Sequence, residues 1–526
     1  MGALTLKSFS DELREWEFIE SEGIDPTDSF GVNLRLSVRE DQIFLAEPID
    51  PQVPWLTDRG RLFFDGMFEE PSTIRIPQWE SFFNELNETF YFTDHLNFHK
   101  KSISSFIFVF ENVSLETLSM LYLLEQQCSL VKLRKAEKYQ LNNDIETNYQ
   151  LNNSVQKSRL ALSTLGVLIN TDTRHEGYVL NLNLRQRFLK GNFKLITIGS
   201  TLDLTFPTYN IGSSMGIVNS IAEGTHLICQ DFSNSEFPVL IANTESFRRS
   251  DSKHIVKLLK HAVVVNSAWN GFNVLNSSIS SVGVNSLSFF LPISSEDLVN
   301  FFGLYFINVS LDAVANIKQL IELQLLRLLS SKMKSKKSLF VDQNNKDLNI
   351  NVYHKLKLTS SVCKNYYHLP NNLFLEDNET YVNTQGLIKR TAKVINFKKE
   401  AKTNWQILRK FYSKSKKSNF LSNKKDHNLL SFDCVNVFNY KTYVHFQFQA
   451  AQTLTSMAYY LNKQNKPFSI SELFSVKAPK IKVINTKMKS WLDDFFNGSG
   501  KDFYSYNSSS LVNCSKISRV SSTNFF

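Results

Sequence analysis

The sequence predicts a multi-domain α/β fold, with parallel sheets flanked by helices after a small β-rich segment. Three observations support this prediction. Apolar runs of strand length alternate with helical patterns between residues 100 and 310, whereas residues 1–70 contain only short alternating runs and turns. The chain has 526 residues, which corresponds to about two to four domains. Its 42% hydrophobic and 21% charged residues exclude wholesale disorder.

The first predicted segment, residues 1–70, is β-rich. Apolar and polar residues alternate from Val32 to Val38, as in a half-buried strand. The charged pair Glu40-Asp41 predicts a turn into a second apolar run at 43–45.

The second segment, residues 71–410, is the predicted α/β region. Helical patterns run from Pro77 to Leu86 and from Ser114 to Leu124, and a third covers 311–330. The predicted strands are Ile103–Phe110, Leu165–Ile169, Lys194–Ile198, Val239–Ala242, Ala262–Val265 and Leu304–Val309. Strands that alternate with helices indicate a parallel sheet.

Two stretches are expected to lie outside this regular pattern. Residues 132–157 are rich in Lys, Asn and Gln and are expected to form an insertion or a long loop. Residues 411–526 form the third segment, a C-terminal extension. Because its last thirty residues are rich in Ser and Asn and weakly patterned, it is expected to be partly extended or disordered.

Cysteine usage argues against a metal or a redox centre on this chain. The five cysteines lie far apart with no C-x-x-C, whereas iron–sulfur clusters and structural zinc sites need closely spaced ligands. No dinucleotide, Walker, G-x-S-x-G or H-E-x-x-H motif is present either. We therefore expect no catalytic, metal or cofactor-binding residue on this chain.

The net charge is unevenly distributed along the chain. Residues 1–100 hold 8 Lys and Arg against 20 Asp and Glu, a net charge of −12, and the remainder carries +21. An organellar RNA-binding protein is one interpretation. Because no nucleic-acid motif accompanies the charge, a surface that faces a protein partner is favoured, with no nucleic acid bound.

Localisation is constrained by what the sequence lacks. No apolar run reaches the roughly 18 residues of a membrane helix, so no direct membrane insertion is expected. The acidic first twenty residues are unlike a transit peptide. The chain has 43 Phe against 18 Gly, a bias typical of AT-rich codons, which indicates an organelle-encoded protein.

One loop is a candidate ligand site. The strand Leu165–Ile169 is followed by the polar loop Asn170–Glu176, and ligands of α/β sheets bind at the carboxyl ends of strands. Arg174 could hold a phosphate there. The alternative is a polar loop without the glycine that lets backbone amides approach a phosphate, and this alternative is favoured.

Several stretches, in chain order from residue 2 to about 410, resemble motifs of one family, the largest iron–sulfur subunit of respiratory complex I. Trp55–Gly66 is similar to its W-I-S-D-K-x-R-F-x-Y-D-G motif, and Thr380–Gly386 to T-Y-V-N-T-E-G. The other similar stretches are Arg14–Glu17, Glu22–Asn33, Asn148–Asn152, Thr171–Glu176, Ile198–Thr205, His368–Glu376 and Asn404–Arg409.

The resemblance covers the molybdopterin-oxidoreductase-like part of that subunit, which in complex I carries no molybdenum. It therefore implies a molybdopterin-oxidoreductase-like multi-domain fold for residues 71–410. It implies a structural subunit of the peripheral arm, on the matrix side of the mitochondrial inner membrane. Such a subunit supports electron transfer from NADH to ubiquinone beside other peripheral-arm subunits, without a catalytic centre of its own. An active molybdopterin-dependent oxidoreductase is the alternative.

The resemblance also implies a partner. Gly2, Ala3, Leu4 and Thr5 resemble the stretch that follows the last cluster cysteine of the family, so we expect the iron–sulfur clusters on a separate polypeptide, the other half of a split subunit. Residues 2–70 are expected to dock on that polypeptide. The candidate contact residues are Gly2, Ala3, Leu4, Thr5, Trp16, Trp55, Phe63 and Phe64.

Overall fold

A computed structural model describes the chain over a defined set of residues. These are 9, 14–51, 53, 55–68, 79–80, 83–84, 105–127, 131–136, 150–200, 203–247, 249, 251–261, 269–286, 291–294, 297, 301–309, 350–353, 365–368, 372, 374–395, 402–417 and 508–514. The predictions for Gly2–Thr5, Ala262–Val265 and 311–330 lie outside the described residues.

The described strands and helices alternate along most of the chain. The strands are β1 (Ile19–Ile24), β2 (Asn33–Arg39), β3 (Gln42–Pro48), β4 (Ser105–Phe110), β5 (Val131–Lys135), β6 (Leu165–Ile169), β7 (Lys194–Ile198), β8 (Tyr209–Gly212), β9 (Val239–Asn243), β10 (Phe272–Leu275), β11 (Phe301–Ile307), β12 (Ile350–Tyr353), β13 (Asn365–His368), β14 (Thr380–Val382) and β15 (Ile388–Arg390). The helices are α1 (Asp58–Leu62), α2 (Asp65–Phe68), α3 (Leu115–Gln127), α4 (Lys157–Leu160), α5 (Thr173–Glu176), α6 (Tyr178–Leu189), α7 (Gly216–Ala222), α8 (Cys229–Asn234), α9 (Ser252–His261), α10 (Ser281–Ser286) and α11 (Asn404–Lys417).

The N-terminal sheet is antiparallel, with the strand order β1-β2-β3. Leu34, Leu36 and Val38 of β2 are buried, as the alternation predicts. Glu40 and Asp41 both have positive φ values, 51° and 63°, which suit a tight hairpin whose twist matches the strands. The predicted β-rich segment is therefore present.

Two short helices, α1 and α2, follow β3, where the sequence predicts only strands and turns. The Thr57 hydroxyl accepts a hydrogen bond from the Gly60 amide at 3.2 Å, and Asp58 places an acid in the first turn, so a helix begins here. Phe63 and Phe64, which directly follow α1, are buried in the core of the N-terminal sheet.

The first parallel sheet, which we call sheet 1, has the strand order β10-β9-β6-β7-β8. The chain runs from β6 outwards to β8 and then returns to place β9 and β10 on the other side of β6. All five residues of β6 and of β9 are buried, as expected for strands covered on both faces. The predicted strands Leu165–Ile169, Lys194–Ile198 and Val239–Ala242 are confirmed.

The second parallel sheet, sheet 2, has the order β13-β12-β11-β4-β5. Aromatic packing holds α11 on it, since the Phe411 ring lies 5.9 Å from the ring of Phe106 and 5.1 Å from that of Phe108. The predicted strands Ile103–Phe110 and Leu304–Val309 correspond to β4 and β11 with shifts of two or three residues at their ends. Residues 132–135 belong to β5, so the predicted insertion does not include them.

The C-terminal extension returns to the N-terminal region. Residues 509–514 are helical, and most of the segment 411–526, for which a partly extended or disordered structure is predicted, lies outside the described residues. The Ser508 hydroxyl donates to Asp65 Oδ2 at 2.7 Å, across 443 residues of sequence. None of the helices that the structure describes combines the length and apolar character needed to cross a membrane.

Candidate functional site

The topology places a candidate site at the carboxyl edge of sheet 1. The strand order reverses between β6 and β9, the two strands from which the chain departs in opposite directions. In open α/β sheets, ligands bind in the crevice outside such a switch point. Here the crevice is bounded by the loop Asn170–Glu176 after β6 and by Asn243 and Thr244 at the end of β9.

Hydrogen bonds fix the loop after β6 in one conformation. Asp172 caps the short helix α5, because its Oδ1 accepts from the amides of Arg174 at 3.0 Å and His175 at 3.3 Å. Its Oδ2 lies 2.9 Å from His175 Nδ1. The Glu176 carboxylate accepts from the Asp172 amide at 3.2 Å and from the side-chain amide of Asn243. A buried bridge therefore spans the switch point.

Arg174, which would hold the phosphate in the less favoured interpretation of this loop, is paired with Asp203. Its guanidinium donates to Asp203 Oδ2 at 2.7 Å, and both side chains are largely exposed. The Thr205 amide and the Arg174 guanidinium hold the pKa of Asp203 below its usual range. The charged side chains of Asp172, Arg174 and Glu176 in this loop are thus all hydrogen-bonded within the chain.

The N-terminal region packs against the crevice at a first junction, where α1 and the turn between β1 and β2 meet α5 and the start of α6. Arg59 of α1 donates from Nη2 to the His175 carbonyl at 2.7 Å. A side chain at Gly177 would come within 3.1 Å of Phe30 and of Leu275, so the turn before β2 packs directly on the start of α6. The buried Phe30 belongs to the apolar cluster on this face of sheet 1.

The motif Thr380–Gly386 contacts both the turn between β1 and β2 and the segment at Leu151, beside the edge of sheet 1. The Thr384 amide donates to Ser29 O at 2.8 Å, and Asn383 Nδ2 donates to Phe30 O at 3.0 Å. Thr384 O accepts from the Leu151 amide at 2.7 Å. This hairpin therefore joins the turn between β1 and β2 to the edge of sheet 1, so the Thr380–Gly386 motif has a structural role.

A second junction lies at the start of α3, beside sheet 2. The buried carboxylate of Glu379 accepts from the Ser114 hydroxyl at 3.0 Å and from the Tyr381 hydroxyl at 2.6 Å. Next to it, Glu116 Oε2 accepts from the Thr380 amide at 3.0 Å. The β14–β15 hairpin is thereby held on the end of α3.

Burial dominates the electrostatics of this junction. It raises the pKa of Glu379 to about 8, with contributions from the neighbouring carboxyl groups of Asp377 and Glu116. It also raises the pKa of Asp377 to about 6. Glu379 is therefore mostly protonated at neutral pH, which removes the cost of a buried charge. Sequence reasoning missed Glu379, although its position directly before the Thr380–Gly386 motif is a signal that could have identified it.

The four predicted interface residues that the structure describes divide into two pairs. Trp16 and Trp55 are 81% and 62% exposed, so their rings are accessible. Phe63 and Phe64 are core side chains, in contrast to the prediction, because the turn between α1 and α2 directs both rings into the N-terminal sheet. They are not available as surface anchors.

Among the described residues, no group of three or more His, Cys, Asp or Glu side chains has the arrangement of a metal site. The polar residues Asn243 and Thr244 were not singled out from the sequence. Their signal is positional, since a polar pair directly follows the apolar strand Val239–Ala242.

Comparisons with known proteins extend these observations. Residues 103–414 match the family model described as Molybdopterin oxidoreductase. The NADH-ubiquinone oxidoreductase 75 kDa subunit of Reclinomonas americana is 28% identical over 439 residues, which cover 78% of this chain and 59% of that protein.

Two further similar proteins are both described as the NADH-ubiquinone oxidoreductase 78 kDa subunit, mitochondrial. The protein of Candida albicans is 24% identical, over 78% of this chain and 54% of that protein. The protein of Neurospora crassa is also 24% identical, over 78% of this chain and 53% of that protein. The chain spans about half the length of the curated relatives it matches. Because the family model covers more than half of the chain and parallel sheets flanked by helices fill the matched region, this chain belongs to the molybdopterin oxidoreductase family.

Proposed function

We propose that this chain is a structural, non-redox part of the peripheral arm of mitochondrial NADH:ubiquinone oxidoreductase, where it holds a separate iron–sulfur polypeptide. Three similar proteins carry the names of subunits of such oxidoreductases, which supports membership in that complex. The observation that carries the non-redox role is the closed switch point of sheet 1, bridged by Glu176 and Asn243.

The described residues of this crevice do not fit the molybdopterin that the family name implies. Loops that hold phosphate-bearing groups use glycine for close approach of backbone amides. Here the residue that follows β6 is Asn170 and not a glycine. The neighbouring Gly199 packs against the backbone of Asn170, since a Cβ at Gly199 would lie 3.3 Å from Asn170 Cα. Arg174 is paired with Asp203. These contacts support a structural role for the site.

The N-terminal sheet supplies the surface that we assign to the iron–sulfur partner. Trp16 and Trp55 are large exposed aromatic side chains, the residue type that most often dominates binding energy. The acidic character of the first hundred residues would complement a basic partner surface. In this assignment the chain lies on the matrix side of the inner membrane, in contact with other peripheral-arm subunits.

Affinity purification tests the proposal. An antibody against this chain should recover NADH:ubiquinone reductase activity and an iron–sulfur polypeptide from detergent-solubilised mitochondria. The chain separated from that assembly should contain neither iron nor molybdenum in stoichiometric amount. One molybdenum per chain would instead support an active molybdopterin enzyme, and recovery without the reductase would contradict the proposal.

A matched pair of variants tests the surface. Trp16→Ala combined with Trp55→Ala should lower recovery of the iron–sulfur polypeptide at least tenfold, since one aromatic hot spot contributes about 2 kcal/mol or more. Leu189→Ala is the control, because Leu189 is 72% exposed at the end of α6 and away from the N-terminal sheet. Equal recovery with both variants would place the partner elsewhere.

A further inference from the structure

Two buried acids lie on the turn between β1 and β2, where the N-terminal sheet meets sheet 1. Asp25 Oδ1 accepts from the amide of Thr27 at 2.9 Å and from its hydroxyl at 2.7 Å. Asp28 Oδ1 accepts from the amides of Phe30 at 3.0 Å and Gly31 at 3.1 Å. One oxygen of each carboxylate is therefore fixed by the turn itself.

The other oxygen of Asp28 is in a different situation. Asp28 Oδ2 is buried without a hydrogen-bond partner, and so are the Ser29 hydroxyl and the Tyr178 hydroxyl at the start of α6. Asp28 and Tyr178 are only 3% and 5% exposed. An ionised oxygen left unpaired in such a place is very costly, and a protonated, neutral one costs much less.

Charged groups face this pair from each element around it. Asp25 is on the same turn, and Arg59 and Arg61 are on α1. The α1 backbone lies so close to Asp25 that a side chain at Gly60 would collide with its carboxylate. Lys389 of β15 also lies near the turn, but its ammonium group donates to Asn33 Oδ1 at 3.1 Å.

We propose that Asp25 and Asp28 form a one-proton latch, in which a proton on Asp28 keeps the turn closed between α1 and α6. When the proton leaves, two carboxylates face each other in a buried junction, and the cations that face them belong to α1. Of these, Arg59 also donates to the His175 carbonyl, which holds its guanidinium group against sheet 1. The turn then separates from α6, and water reaches both acids.

The electrostatics support the latch. Burial, and after it the Asp25 carboxylate, raise the pKa of Asp28 to about 7, although the Gly31 amide and Arg59 oppose them. The raised pKa means that the closed turn binds a proton more tightly than the open one. Its stabilisation is thus greatest at low pH and is lost as the pH rises towards 7. The ratio of open to closed turn should increase about tenfold between about pH 6 and about pH 8.5.

Hydrogen exchange of the full chain tests the latch. Peptides that cover β1 and β2 should lose protection about tenfold between about pH 6 and about pH 8.5, after correction for the intrinsic exchange rate. Asp28→Asn, which is neutral at every pH and retains an oxygen for the turn, should abolish that loss. Peptides of β7 serve as the internal control.

Two further variants keep the test decisive. Tyr178→Phe removes a hydroxyl without a partner and should leave the pH dependence unchanged. Asp25→Asn removes the charge that faces Asp28, so the midpoint of the transition should move to lower pH. The proposal is overturned if Asp28→Asn and the unmodified chain show the same pH dependence, or if Mg²⁺ restores protection at pH 8.5, which would indicate a cation site.

Discussion

The two junctions hold their buried acids in different ways. At sheet 2, each carboxylate oxygen of Glu379 accepts a hydrogen bond, one from Ser114 and one from Tyr381. At sheet 1, Asp28 has both of its hydrogen bonds on Oδ1, and Oδ2 has no partner. When Glu379 is ionised, each of its oxygens still has a hydrogen-bond donor. When Asp28 is ionised, Oδ2 has none, so loss of the proton has the larger structural consequence there.

The largest effect is expected at the fully bonded junction. Glu379→Ala should lower the free energy of unfolding by about 3 kcal/mol, because it removes the carboxyl group to which the buried Tyr381 and Ser114 hydroxyls donate and opens a cavity. Urea denaturation measures it. Glu379→Gln is the control and should cost less than about 1 kcal/mol, since it keeps the size and one acceptor oxygen. Equal losses of stability in Glu379→Ala and Glu379→Gln would contradict the assignment of Glu379 as a fully hydrogen-bonded acid.

A smaller effect is expected where α1 meets the turn of the other junction. Gly60→Ala should lower the free energy of unfolding by about 2 kcal/mol, because the added methyl group collides with Asp25 and lies 2.8 Å from Leu56 Cδ1. Hydrogen exchange should show the loss of protection in β1 and β2 and not in β4. Uniform loss across the chain would mean that this junction is not a local unit.

The pH dependence of melting sharpens the comparison. The raised pKa values of Glu379, about 8, and Asp28, about 7, mean that unfolding releases their protons at neutral pH. Stability should therefore fall as the pH rises from about 5 to 8, with a melting temperature several degrees lower at pH 8 than at pH 6. Glu379→Gln should reduce this fall but not abolish it. A melting temperature that rises over this range would contradict both assignments.

The smallest effect is expected at the exposed rim of sheet 1. Arg174→Ala removes a solvent-exposed ion pair with Asp203 and should change the free energy of unfolding by less than about 0.5 kcal/mol. The matched control is Arg187→Ala. The buried guanidinium of Arg187 donates to Ser163 O at 2.9 Å and to Gly191 O at 2.7 Å, so its loss should cost about 2 kcal/mol. Thermal denaturation of both variants separates the two cases.

The strands that the sequence predicts correctly are those with a continuous apolar run or a clean alternation. Leu165–Ile169 and Lys194–Ile198 match β6 and β7 because strands buried on both faces carry few polar residues. The short strands β12 and β13 were not predicted, since four residues between polar neighbours give no periodicity. The order of strands in each sheet is set by long-range pairing and has no local signature.

The candidate site is less predictable than the fold. The loop Asn170–Glu176 was identified because it directly follows an apolar strand. Its closure by Arg59 and by the Thr380–Gly386 motif depends on contacts over 100 to 350 residues, which no local pattern records. For Phe63 and Phe64, the sequence suggested interface residues, whereas the structure buries both side chains in a core. A large aromatic residue suits a core as well as an interface, and only the turn after α1 decides between them.

The hydrogen bond from Asn383 to Phe30 has a consequence for the order of events during synthesis. The two residues are 353 positions apart, and a ribosome adds about 5–20 residues per second. The N-terminal sheet, whose strand pairings are local, can form tens of seconds before the Thr380–Gly386 hairpin has been synthesised. Throughout that interval the turn between β1 and β2 lacks its hydrogen bonds to Asn383 and Thr384. Final attachment of this turn to the edge of sheet 1 therefore becomes a late step of folding, which follows the synthesis of the Thr380–Gly386 hairpin.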